Sequence, residues 1–269
     1  MTFARDHYKS YILLSLLLLF LIIAGKVEIL ASIVILFYWT NIKIFTFAEN
    51  KVLRSVAFIF TTIISYGLIS HKIPGFNNIL YFDNISLSEF SAPYSSYINF
   101  DKPFLALLLI YHYKKRKLYE TKFAAAFIYG ILLAIVAASI LAFMSVYFRF
   151  IALDPKIPTI LPRWVMMNII TVVAEEALFR GFLQHSLLCG LKKLKLPVSI
   201  SAAISLAMIS ILFGLLHFQG GQVYMLISGI AGLFYGYALF KTGTIESSII
   251  VHFVVNLSHI LLFTYPSAA

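Results

Sequence analysis

Charged residues make up only 12% of this 269-residue sequence, about half the share usual in a soluble domain. Hydrophobic residues make up 61%. So little charge cannot clothe an apolar core in a water-facing shell, which excludes a soluble globular domain and makes lipid the solvent. Cysteine is nearly absent. The lone Cys189 excludes an intrachain disulfide framework and a multi-cysteine zinc site. Acidic residues number 11 against 21 Lys and Arg, for a formal net charge of +10. The basic residues stand in short runs between apolar segments, as the positive-inside rule requires. They point to topology and lipid head groups, and no nucleic-acid partner is expected. Internal repeats and low-complexity tracts are also missing. The first apolar run follows Arg5 and Lys9 without a small-residue cleavage site, so it is expected to be a retained span.

What is present is a series of apolar segments near the length needed to cross a bilayer, about 20 residues. They are Tyr11–Gly25, Ile29–Phe47, Val52–Ile69, Pro103–Tyr113, Phe123–Phe150, Arg163–Gly190, Pro197–His217, Gln222–Phe240 and Thr244–Phe263. The first is short and the fourth shorter still. The expected fold is therefore all-α, a polytopic transmembrane helical bundle of eight or nine spans. The partners this implies are a lipid bilayer and, for location, the bacterial inner (cytoplasmic) membrane. Lys114-Lys115-Arg116-Lys117 and Lys192-Lys193-Leu194-Lys195 are separated by two spans, which puts both runs on the cytoplasmic side. Two regions are expected: an N-terminal transmembrane region over 1–117, with an outside loop near 71–102, and a C-terminal core over 118–269.

Nine of the acidic residues fall in loops, at span ends or in terminal segments. Glu175 and Glu176 lie deep within a span. Arg163 precedes Glu175 by twelve residues and Lys192 follows it by seventeen. At helical rise, Glu175 is roughly 18 Å from one polar boundary and roughly 25 Å from the other. A charge at such depth costs at least about 2.5 kcal/mol, and two adjacent carboxylates repel each other. Arg180 is four residues after Glu176 and shares its helix face. Glu175 points about 100° away around the helix. A Glu–Arg pair that only fixes packing would account for Glu176 and Arg180 and leave Glu175 without a purpose.

Three histidines lie in the last apolar segments. His217 ends the run Phe213-Gly214-Leu215-Leu216-His217. His252 and Asn256 are spaced i, i+4 and project from one helix face, and His259 extends that stripe. A carboxylate, two histidines and a carboxamide in apolar surroundings need one another as partners. A carboxylate with a histidine can deprotonate water. A second histidine and a carboxamide can donate to the oxyanion that forms when the water adds to a carbonyl. No serine has a nucleophile-elbow context, and no cysteine joins the set. The chemistry indicated is direct amide hydrolysis without a cofactor. Two histidines and a glutamate also make a zinc ligand set, so a Zn2+ metalloprotease is an open alternative, although an H-E-x-x-H helix is absent.

Glu175–Arg180 reads E-E-A-L-F-R, Phe213–His217 reads F-G-L-L-H, and His252–Asn256 reads H-F-V-V-N. In order and spacing these resemble the E-E-x-x-x-R, F-x-x-x-H and H-x-x-x-N motifs of the CPBP family, the CAAX proteases and bacteriocin-processing (Abi) enzymes that include the type II CAAX prenyl endopeptidases. The glycines and K-T-G turn of Gly229–Gly243 look like this family too. The resemblance covers about Phe123 to Phe263. It implies an intramembrane endopeptidase with Glu175 as general base, His217 its partner on the water, His252 and Asn256 the oxyanion hole, and Glu176 and Arg180 organising the site. The implied partner is a protein or peptide substrate with a membrane-associated segment. His217 and Glu175 are nearer the non-cytoplasmic ends of their helices, so the site is expected to open toward the exterior, which suits exported or membrane-anchored substrates. A non-catalytic role in bacteriocin immunity or as a membrane scaffold is the rival within the family. A proton-coupled transporter is a further rival, and it lacks the paired broken helices of inverted repeats.

Overall fold

The structure, a computed structural model, describes residues 2–116 and 121–269. Lys117 and the expected boundary at 117/118 lie outside the described residues. Each of the nine apolar segments falls on helix. In chain order the helices are α1 (Thr2–Ile23), α2 (Ile29–Phe47), α3 (Lys51–Ile69), α4 (Lys102–Arg116), α5 (Phe123–Tyr147), α6 (Leu161–Glu176), α7 (His185–Lys193), α8 (Val198–Leu215), α9 (Gly221–Thr242) and α10 (Ile245–Leu262), with one segment, Arg163–Gly190, taking in both α6 and α7. A π-helical turn, Ala177–Gln184, joins α6 to α7 without a break. Among the described residues, six helices are long and apolar enough by themselves to cross a membrane. The remaining three expected spans fall on α1, on α4 and on the composite α6–π–α7. The polar segment near 71–102 adds one feature to an all-α reading: β1 (Ile79–Ile85) and β2 (Tyr94–Ile98) pair as a two-stranded sheet.

The chain folds as two compact units. The first comprises Met1–Leu80 and Tyr97–Lys115. Its centre is the α2 stripe Ala31, Ile35, Tyr38 and Ile42, none of which has exposed surface. Their spacing alternates between four and three residues, which keeps one helix face inward. The Tyr38 hydroxyl meets Ser65 Oγ of α3 at 2.8 Å, and Trp39 packs edge-on against Tyr111 of α4. Such pairing is required where no water can satisfy a buried hydroxyl.

The second unit comprises Tyr81–Ser96 and Arg116–Ala269 and holds every candidate site residue. Helix α5 turns small residues inward, at Ala126, Gly130, Ala134 and Ala137. Its Ile128, Leu132, Ile135 and Phe143 are exposed, the face expected against lipid. Helices α8 and α9 meet backbone to backbone. A Cβ on Gly214 would lie 2.7 Å from the Met225 carbonyl oxygen and 3.0 Å from Gly229 Cα, whereas one on Gly229 would meet nothing nearer than 3.6 Å. Main-chain atoms cannot swing aside, so Gly214→Ala is expected to destabilise the protein by about 1–3 kcal/mol. Gly229→Ala is expected to be neutral or mildly stabilising, because alanine is the better helix former. Thermal unfolding of both variants in detergent checks the contrast. At the other end of α9, Gly243 adopts φ +67° as the helix cap, a conformation glycine takes without Cβ strain.

Irregular chain closes one end of this unit. The tail after α10 pairs with the α5–α6 connection: Thr264 N–H donates to Ala152 O and Ala268 N–H to Phe150 O. The β1–β2 connection joins through Ala92 N–H to Ser267 O and Ala269 N–H to Phe90 O. Trp164 Nε1–H donates to the Tyr265 hydroxyl at 3.1 Å. Lys156 pairs with Asp154 at 2.8 Å, and hydrogen bonds from Lys156 and Ser88 hold the Asp154 carboxyl below its ordinary range.

Candidate active site

Helix α6 delivers both carboxylates at its last turn, and the π turn begins at the next residue. All eight π residues are buried. Here the His185 N–H reaches back five residues to the Arg180 carbonyl, which widens the turn. Such turns concentrate at functional sites.

Glu176 and Arg180 are fully buried, and Arg180 Nε stands 3.2 Å from Glu176 Oε2. The contact is an ion pair without hydrogen-bond alignment, since neither atom has a hydrogen-bond partner. The guanidinium has other holds. Its Nη2–H donates to the Gly232 carbonyl at 3.1 Å, and its Cζ lies 4.7 Å from the Phe213 ring centre and 5.3 Å from that of Tyr235. One turn further along, Gln184 Nε2–H donates to the Gly236 carbonyl at 3.0 Å. Gly232 and Gly236, a small-residue pair in the sequence, thus serve contacts inside the chain. A Cβ on Gly236 would lie 2.5 Å from Gln184 Oε1.

His252 of α10 joins the two glutamates. Its Nδ1 is 2.8 Å from Glu176 Oε1, and its Nε2 is 3.9 Å from Glu175 Oε2. A carboxylate oxygen only accepts, so the proton of the short bond resides on Nδ1. Tyr235 stacks on the imidazole at 4.3 Å with 13° between planes, and Phe213 meets it edge-on at 6.0 Å. Glu176, Tyr235 and Phe213 hold the ring, which also lines a cavity. Glu175 itself keeps 16% of its side-chain surface exposed and makes no hydrogen bond among the described residues.

His217 sits just beyond α8. Its Nδ1–H donates to the Phe213 carbonyl at 2.7 Å, which leaves Nε2 as the acceptor of the neutral ring. Phe213 links the two histidines, with its ring 4.6 Å from that of His217. No direct contact joins His217 to Glu175. His217, His252 and Asn256 instead share a cavity of about 100 Å³, together with His259, Tyr224, Tyr235 and the α5 residues Leu141 and Ser145. Phe150, Ile151 and Phe263 of the closing segments line it as well. Asn256 Nδ2–H points to Asn168 Oδ1 of α6 at 3.5 Å.

Contacts therefore assemble Glu175, Glu176, Arg180 and His252, and the cavity adds His217 and Asn256. Sequence reasoning missed Asn168 and Tyr235. Asn168 carried a signal: it precedes Glu175 by seven residues, so both lie on one face of α6. Among the described residues, no three His, Cys, Asp or Glu side chains converge as a set able to hold a metal ion.

Residues 157–258 match the family model described as "Type II CAAX prenyl endopeptidase Rce1-like". These residues form an Rce1-like domain. No curated protein and no solved structure matches the chain. The Rce1-like domain contains α6, the π turn, α7, α8, α9 and most of α10, with all six candidate residues. It implies a protease, a hydrolase of peptide bonds, set in a multi-pass membrane protein. The α5 wall of the cavity, His259 and the closing tail lie outside the matched residues.

Proposed function

We propose that this protein is an intramembrane endopeptidase that hydrolyses a peptide bond in a membrane-associated or exported protein, with water activated by Glu175 and His217. The observation that carries this reading is the placement of His252 between two carboxylates, one bonded and one 3.9 Å away and partly open. Glu176 orients the ring and Glu175 is left for chemistry. A doubly protonated His252 keeps Nδ1–H on Glu176 and carries a second hydrogen on Nε2. Its Nε2–H and an Asn256 N–H then donate to the carbonyl oxygen as it becomes an oxyanion. Water oxygen adds to the carbonyl carbon while its proton passes to Glu175. That proton then moves to the departing amine as the C–N bond breaks. His217, with Nδ1–H committed to Phe213, offers Nε2 to position the same water.

Helix α8 runs away from the basic run Lys192–Lys195, and at 1.5 Å per residue His217 lies roughly 30 Å from it. With that run in the cytoplasm, the cavity is nearer the far side of the membrane, which suits exported and membrane-anchored substrates.

The test uses purified protein in lipid vesicles with a panel of peptides, some lipid-anchored at the C-terminus, some carrying a transmembrane anchor and some unanchored. Products are read by mass spectrometry. Wild type is expected to cleave an anchored peptide equally well with and without a strong chelator, and Glu175→Gln is expected not to cleave it. Loss of activity on chelation, restored by Zn2+, would replace the glutamate mechanism with a metal one. Equal processing by wild type and Glu175→Gln would remove it altogether.

A further inference from the structure

A carboxamide is two-faced. Rotation by 180° exchanges its NH2 and its oxygen with almost no change in shape. An Asn256 that serves an oxyanion must present N–H to the cavity, because its own oxygen there would repel the developing charge. Some neighbour has to select the face. Asn256 follows His252 by one turn of α10 and lines the cavity. Among the described residues, the only hydrogen bond of either carboxamide is Asn256 Nδ2–H to Asn168 Oδ1, at 3.5 Å.

We propose that Asn168 is a positioning residue that sets the direction of the Asn256 carboxamide, by accepting one of its two N–H groups and leaving the other for the substrate oxyanion. This rests on the endopeptidase reading above and deepens it. The proton count fits, since one NH2 supplies one donor to Asn168 and one to the oxyanion. Placement fits as well. Trp164, Asn168 and Glu175 lie on one stripe of α6, with Trp164 buried and bonded to Tyr265 at one end and the catalytic carboxylate at the other. Asn168 is half-buried in a helix that is otherwise apolar from Trp164 to Ile170, and a carboxamide there is costly without a partner. The contact is long, as catalytic hydrogen bonds often are before substrate arrives and tightens them.

Three substitutions test the direction of the bond. Asn168→Leu keeps the volume and removes the acceptor. Asn168→Asp keeps only the acceptor. Asn256→Ala removes the donor. The probe is a quenched-fluorescence peptide with a transmembrane anchor, reconstituted in the same vesicles. Asn256→Ala is expected to lower kcat by about 100-fold, the scale of one oxyanion donor. Asn168→Leu is expected to lower kcat about tenfold with KM unchanged, and to cost nothing further on top of Asn256→Ala. Asn168→Asp is expected to recover most of the Asn168→Leu loss. Thermal unfolding in detergent reads the same bond without turnover, with Asn168→Asp expected to melt above Asn168→Leu. If Asn168→Leu and Asn168→Asp match each other in both kcat and melting, the acceptor role is wrong. A fall with Asn256→Ala but none with Asn168→Leu would overturn this inference and leave the endopeptidase reading intact. Wild-type kcat in Asn256→Ala would instead strike the oxyanion hole of that reading.

Discussion

Glu175→Gln is expected to lower peptide hydrolysis by about a thousandfold, within the range that a positioned general base supplies, while the protein unfolds at the same temperature as wild type. The two halves of this expectation have one cause. Glutamine keeps the size of the side chain and loses only the ability to take a proton. Glu175 carries no hydrogen bond that folding depends on. The His252 Nε2 stands 3.9 Å from its carboxylate, and part of its side chain is open. Removing its charge also relieves repulsion from Glu176. The measurement is kcat on the anchored peptide alongside a melting curve. A variant that melts normally yet retains wild-type turnover would show that another group activates the water.

Arg180→Leu is expected to fail differently, through the fold. Glu176 has no exposed surface, and among the described residues Arg180 is the only basic side chain paired with it apart from His252. Taking the cation away strands a buried carboxylate, at a cost of about 3–5 kcal/mol. Denaturant unfolding in detergent measures this. Adding Glu176→Gln to Arg180→Leu is expected to recover much of the stability, since a neutral pair buries no charge. Activity is not expected to return, because His252 then lacks the carboxylate that receives its Nδ1 proton. Restored activity in the double variant would show that Glu176 and Arg180 serve packing alone.

Much of the bundle was legible because a lipid solvent leaves the sequence few options. Nine apolar segments fell on nine stretches of helix, and Glu176 and Arg180 met as their i+4 spacing indicated. Features that depend on contacts between distant segments were not legible. Nothing in H-F-V-V-N says that His252 turns Nδ1 to Glu176 and Nε2 to Glu175, because that choice is made by Tyr235 and Phe213 from other helices. The sheet of β1 and β2 was hidden inside a polar loop whose alternation is too brief to mark strands. The pairing of residues 150–156 with the tail after Leu262 joins segments more than 100 residues apart, and neither carries a pattern of its own. Asn168 shows the intermediate case. Its spacing from Glu175 was readable, but its partner was not.

The π turn after Glu176 acts as a phase shift in an otherwise regular helix. Each residue of an α-helix advances the side-chain direction by about 100°, and the wider turn absorbs one extra residue before the chain resumes. Were Ala177–Gln184 to close up as plain α with every residue kept, the phase after it would advance by about 100°. Glu175 and Glu176 would keep their bearing, while α7 would rotate as a block and carry Lys192 and Lys193 around the axis. The bearing of α7 relative to Glu175 is therefore set by the π turn as well as by residue count. Wound as plain α throughout, the same residues would aim the Lys192–Lys193 pair and the two carboxylates in directions that no longer correspond.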